Sequence, residues 1–121
     1  MSDKLTSRQK AQLSVLETLP PRIQQIHRLI EEIAGMRADE SVSRRLIRIL
    51  DESESAASSV GLTGLSETMG VMGMLARRTS GLQMKIRGLR EGLASLKINL
   101  EGALRSATTP AADEPGKPGE G

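Results

Sequence analysis

Two carboxylates one helical turn apart, Asp51 and Glu54, stand in a segment rich in small residues, Ser53-Glu54-Ser55-Ala56-Ala57-Ser58-Ser59. A carboxylate can accept a phosphoryl group as an acyl phosphate, but it needs a pocket that supplies Mg²⁺ and a lysine. A helix turns about 100° per residue. On that wheel Val42, Leu46, Ile49, Leu50, Ser53, Ala56, Ala57 and Val60 share one side, and Asp51 takes the middle of the other. Arg44, Ile47, Arg48, Glu54, Ser55 and Ser58 lie around it. The pattern predicts a solvent-facing stripe with an acid at its centre, serines that let a partner approach closely, and an exposed Ile47 as a docking contact. A plainly solvated helix face would carry the same residue types.

Other chemistry is sparse. His27 is the only histidine, on the flank of a helical apolar stripe; it reads as a boundary residue or as a displaced phosphoacceptor. Arg77, Arg78, Lys85, Arg87 and Arg90 form a basic run with no acid between Glu67 and Glu91. Such a run could meet nucleic-acid phosphates or an acidic protein surface. Met69-Gly70-Val71-Met72-Gly73-Met74 is soft and small, and its glycines suggest core packing with close helix approach, or a flexible surface for a partner. No phosphate-binding loop, dinucleotide fingerprint, Ser-His-Asp set or calcium loop is present, and no metal or cofactor is expected.

The composition narrows the class. The 121 residues contain no Phe, Trp or Tyr, which argues against modules that stack bases on aromatic rings and against an all-β core. The absence of Cys excludes disulfides and thiolate zinc sites. The net charge is +2, and residues 107–121 carry one Lys against three acids, so the rest stands at +4. That bias is mild and does not demand a nucleic-acid partner. No apolar run reaches the ~18 residues of a membrane span, and Met1-Ser2-Asp3-Lys4 does not open a signal peptide. The expected setting is cytoplasmic.

Breakers divide the chain at Pro20-Pro21, Gly35 to Asp39, Gly61 to Gly64 and Thr79-Ser80-Gly81. Between them apolar residues recur at helical spacing. Leu5, Leu13, Leu16 and Leu19 predict a short first helix, and Ile23, Ile26, Ile30 and Ile33 a second with Pro21 in its first turn. Val42 to Val60 predicts a third, capped by Asp39 or Ser41. Leu62, Leu65, Met69, Met72 and Leu75 predict a fourth. A fifth runs from Leu82 through Ile86, Leu89, Leu93, Leu96 and Leu100 to Leu104, a seam that packs in its own bundle or against another chain. The expected architecture is all-α, an up-down four-helix bundle with a shorter N-terminal helix over residues 1–106. Residues 107–121, rich in Pro, Gly and charge, are expected to be disordered.

On these residues the chain resembles a family. Leu50-Asp51-Glu52-Ser53-Glu54-Ser55-Ala56-Ala57-Ser58-Ser59-Val60-Gly61-Leu62 is similar to the active-site segment of histidine-containing phosphotransfer (HPt) domains, whose pattern is His-x-x-Lys-Gly-(Ser/Ala)-Ala-x-x-x-Gly followed by Leu. Arg44 to Leu50 resembles the family's lead-in, and Leu19-Pro20-Pro21-Arg22-Ile23 its second helix start. Asp51 stands at the phosphoacceptor position, Glu54 at the Lys position and Ser55 at the close-approach Gly. An acid at the Lys position would repel a phosphoryl group. The resemblance therefore implies a pseudo-phosphotransfer domain that is not an enzyme. It would dock a response-regulator receiver domain or a histidine kinase in bacterial two-component or chemosensory signalling. Asp51 and Glu54 would either imitate a phosphorylated site or merely abolish transfer. A nucleic-acid-associated regulator, active phosphotransfer through His27 and assembly through the fifth-helix seam stand as the other expectations.

Overall fold

The computed structural model describes residues 4–35 and 40–110. It contains α1 (Ser7–Leu16), α2 (Leu19–Ala34), α3 (Glu40–Ser59), α4 (Thr63–Ala76) and α5 (Leu82–Thr108), and no strand among the described residues. Each of α2 to α5 packs on two of the others, in the cyclic order α2-α3-α4-α5, while α2 and α4, and α3 and α5, lie across the diagonals. Short connections make successive helices antiparallel, an up-down bundle. Helix α1 packs on α5, α3 and α2.

The core follows the apolar period. Ile23, Ile26, Ile30, Ile33, Leu46, Leu50, Leu65, Met69, Met72, Leu89, Leu93 and Leu96 are all buried. A buried side chain of this size contributes roughly 1.5–3 kcal/mol by leaving water. The seam of α5 is spent inside the bundle from Ile86 to Leu96, with Leu100 and Leu104 packed partly against the core; Leu82 at its start stays exposed.

Several boundaries differ from the sequence expectation. Leu19 opens α2 instead of closing α1, and the break lies at Glu17-Thr18. The first amides of a helix have no intrahelical acceptor, so Pro20 and Pro21 fit the first turn without loss. Ser41 is the second residue of α3 and not its cap, while Asp39 lies outside the described residues. Helix α5 runs two residues past 106, and Ala107 is buried. The rest of the expected tail, from 111, lies outside the described residues.

Helix ends are tied by specific polar contacts. At the end of α3, Gly61 takes φ +77°, the Leu62 amide donates to the Ala57 carbonyl at 2.9 Å, and the Gly61 amide donates to Ser58 at 3.1 Å. That is the double bond pattern of a left-handed C-terminal cap, which favours Gly. At the start of α1, the Thr6 hydroxyl accepts from the Gln9 amide at 3.0 Å, and the Gln9 side chain accepts from the Thr6 amide at 2.9 Å. The Gln9 amide nitrogen then donates to the carbonyls of Ser106 and Thr109, at 3.2 and 2.6 Å. One buried side chain thus caps α1 and satisfies the end of α5. Gln9→Ala is expected to cost about 1–2 kcal/mol in urea unfolding, with the loss seen also as faster amide exchange in the last turn of α5. An unchanged midpoint would show that water replaces both bonds.

Candidate functional site

The α3-α4 hairpin turns at Gly61, and its register brings the acidic stripe of α3 against the glycines of α4. A Cβ placed on Gly70 would lie 3.0 Å from Glu54 Oε2, and one on Gly73 would lie 3.6 Å from Asp51 Oδ1. The two glycines leave room for side chains of α3: the carboxylates of Glu54 and Asp51 lie over them. One turn beyond Gly73, Arg77 reaches back. Its Nη2 donates to Asp51 Oδ2 at 2.6 Å, and its Nη1 donates to the Gly73 carbonyl at 3.2 Å.

The stripe is therefore less open than the helical wheel predicts. The Asp51 side chain keeps 45% of its surface exposed and is paired with a cation. Glu54 is half-buried. Ile47, expected as an exposed docking contact, is half-buried and packs against the core. Arg44, Arg48, Ser55 and Ser58 are exposed as expected. Arg44 is ion-paired to Glu40 at 3.2 Å. The wheel errs because α4 leans over one flank of α3, and its small residues leave the acids room to stay. On the opposite side Ser53 is fully buried and accepts from Arg22 Nη1 at 3.2 Å.

Arg77 explains part of the electrostatics. An uncompensated carboxylate at Asp51 would offer a free anion to a partner. Here the guanidinium already neutralises it, so a partner meets a polar pair. Exposed pairs of this kind add about 0–1 kcal/mol, because solvent screens them. Among the described residues no group of three or more His, Cys, Asp or Glu could hold a metal ion.

The five-cation run does not form one surface. Arg77 faces Asp51 and Arg90 pairs with Glu31 through two bonds at 2.9 and 2.7 Å. Lys85 is buried, with its Nζ donating to the Arg78 carbonyl at 2.8 Å. Arg78 and Arg87 are exposed. Arg77 and Arg78 precede α5, which starts at Leu82, while Lys85, Arg87 and Arg90 lie on it and differ in burial and pairing. His27 is exposed on α2, lining a shallow recess with Arg28, Glu31 and Glu32.

Sequence reasoning missed three features. Gly88 and Gly92 on α5 seat Leu75 and Met72: an added Cβ would meet them at 2.7 and 2.6 Å. Asn99 of α5 donates to the Thr68 hydroxyl of α4 at 3.1 Å. Val71 and Met74, from the methionine-glycine patch, are exposed on the outer side of α4, whereas Met69 and Met72 are core. The spacing of the glycines on α5, four residues apart on one face, carries that signal; the side on which Met74 ends does not follow from a near-continuous apolar run.

Two consequences can be measured. Arg77→Gln is expected to lower stability by less than about 1 kcal/mol, and less again in 0.5 M salt; a loss above about 2 kcal/mol would mean the pair is not solvent-screened. The hydrogen bonds from Arg90 hold the Glu31 carboxyl below its usual value of 4.5. A depressed carboxyl adds stability above its unfolded value and loses it as pH falls through the folded value. The stability difference between the wild type and Arg90→Gln is therefore expected near neutrality and to fade as pH falls from 4.5 through the lower folded value, as read from urea unfolding across pH; a difference that stays constant down the whole acid range would contradict the assignment.

No protein-family model matches the chain, and searches of curated proteins and of solved structures find no match.

Proposed function

We propose that this helical bundle is a non-catalytic interaction module of bacterial two-component or chemosensory signalling, docking a receiver domain through the α3 face around Asp51. The observation that carries the reading is the stripe itself. Arg48, Ser55 and Ser58 are exposed, and the Asp51 side chain is half exposed between them with Arg77 at its edge. Small hydroxyl residues allow another helix or loop to come close, and the ion pair gives the centre of the patch a polar anchor. Val71 and Met74 supply apolar surface on the adjoining helix.

The reading uses the likeness of residues 50–62 to the phosphotransfer pattern, together with the bundle that presents them. It is a non-catalytic reading because the stripe offers no imidazole at position 51, and the Arg77 guanidinium occupies the charge there. Pairing with Arg77 offsets the charge of Asp51, which favours loss of transfer over imitation of a phosphoryl group at that position.

The test is calorimetry against a panel of purified receiver domains, with histidine kinase dimerisation domains as a second panel. Ser55→Arg and Ser58→Arg, both on exposed positions, are expected to weaken binding at least about tenfold, as a central clash does. Asp51→Ala is expected to change it only a few-fold. Binding that ignores both serine variants would remove this face. Binding abolished by Asp51→Ala alone would restore the charge-imitation reading.

A further inference from the structure

Lys85 is 8% exposed, and the bond from its Nζ to the Arg78 carbonyl uses one of three ammonium donors. Among the described residues no carboxylate lies within ion-pair distance of it. A buried cation without a counter-charge is costly, and burial pulls the Lys85 pKa down. Its side chain lines a cavity of about 580 Å³ at the end of the bundle where α4 gives way to α5.

The same wall holds Arg44, Arg77 and Arg78. Two of the four cations are already matched: Arg44 by Glu40 at 3.2 Å and Arg77 by Asp51 at 2.6 Å. Arg78 and Lys85 have no carboxylate partner among the described residues, which leaves two positive charges facing one space. Helix α5 starts beside them with Gly81 as its cap, no side-chain cap bond and no acid in its first turn. Its free amides add positive potential at the same end. Thr79 and Ser80 bring hydroxyls, and Ile33, Ile47 and Leu82 give the cavity an apolar side.

We propose that this cavity binds a small phosphate monoester with an apolar substituent. Two uncompensated cations match a phosphate monoester, which carries about −1.5 to −2 at pH 7; a carboxylate would leave one of them unanswered. Arg78 offers a planar fork and Lys85 a point charge, the pairing that suits phosphate oxygens. The substituent lies along Ile33, Ile47 and Leu82. The volume falls inside the roughly 300–1,000 Å³ typical of small-molecule sites. The inference does not depend on the docking reading, although Arg44 and Ile47 border both surfaces.

The full chain is titrated with hexyl phosphate, inorganic phosphate and hexanoate, followed by calorimetry and by backbone amide NMR. Hexyl phosphate is expected to bind saturably, to shift the amides of Ser80 and Lys85, and to bind at least about tenfold tighter than inorganic phosphate, since burying even two methylenes gives that factor. Lys85→Met keeps the length without the charge. It is expected to weaken hexyl phosphate at least about tenfold, as loss of a charge-assisted bond does, while melting no lower than the wild type. Arg87→Gln, outside the cavity, is expected to bind normally. If Lys85→Met does not fold, Arg78→Gln, at an exposed position, is read in the same way. No saturable binding of hexyl phosphate, undiminished binding in Lys85→Met (or in Arg78→Gln where it takes its place), or hexanoate binding as tightly would overturn the proposal.

Discussion

The approach of α4 to α3 across Gly70 and Gly73 decides what the acids of α3 can be. A Cβ at Gly70 would press on the far end of the Glu54 side chain, and one at Gly73 would touch Asp51 and crowd Arg77, so side chains at those two positions would displace the acids and the guanidinium. Without them, Glu54 lies over Gly70, and Asp51 comes within reach of a guanidinium one turn further along α4. A glycine within a helix costs about 1 kcal/mol relative to Ala. The close packing that each one permits offsets this through many small dispersion contacts. Helix α5 repeats the device on the other side of α4, where Gly88 and Gly92 receive Leu75 and Met72.

From that constraint the two surfaces of interest follow. Along the middle of α3, a carboxylate paired with Arg77 lies between the exposed Arg48 and Ser55. At the end of the hairpin, where α4 stops at Ala76 and α5 begins at Leu82, the cations gather around a recess with two of them unanswered by the described residues. The basic run of the sequence is thus divided between an ion pair with α3, an ion pair with α2 and a cavity wall, with Arg87 exposed apart from all three. Charge density along a chain does not survive folding as charge density on a surface when the chain reverses in the middle of the run.

Much of the scaffold is legible in the residues themselves. The 3.6-residue period of Ile23, Ile26, Ile30 and Ile33 fixes the buried side of α2, and the long Leu and Ile seam fixes that of α5. Gly61 is readable as a helix end because a left-handed residue is needed there. The Thr6-x-x-Gln9 capping box was equally readable from its spacing and sets the start of α1. What a single-helix wheel cannot show is the neighbour. The covering of Ile47 and Glu54, the pairing of Asp51 with Arg77 and the burial of Lys85 all depend on how α4 and α5 pack, which is long-range information. An antiparallel register counted outward from Leu62 places Glu54 opposite Gly70 and Asp51 opposite Gly73, so part of it was within reach.

The register of that hairpin is tested most directly by proton-proton cross-relaxation in the uniformly labelled protein. The account expects cross-peaks from the Gly70 Hα protons to the Glu54 Hγ protons, and from the Gly73 Hα protons to the Asp51 Hβ protons. Glycine Hα signals that see only solvent, or that see a different stretch of α3, would contradict it.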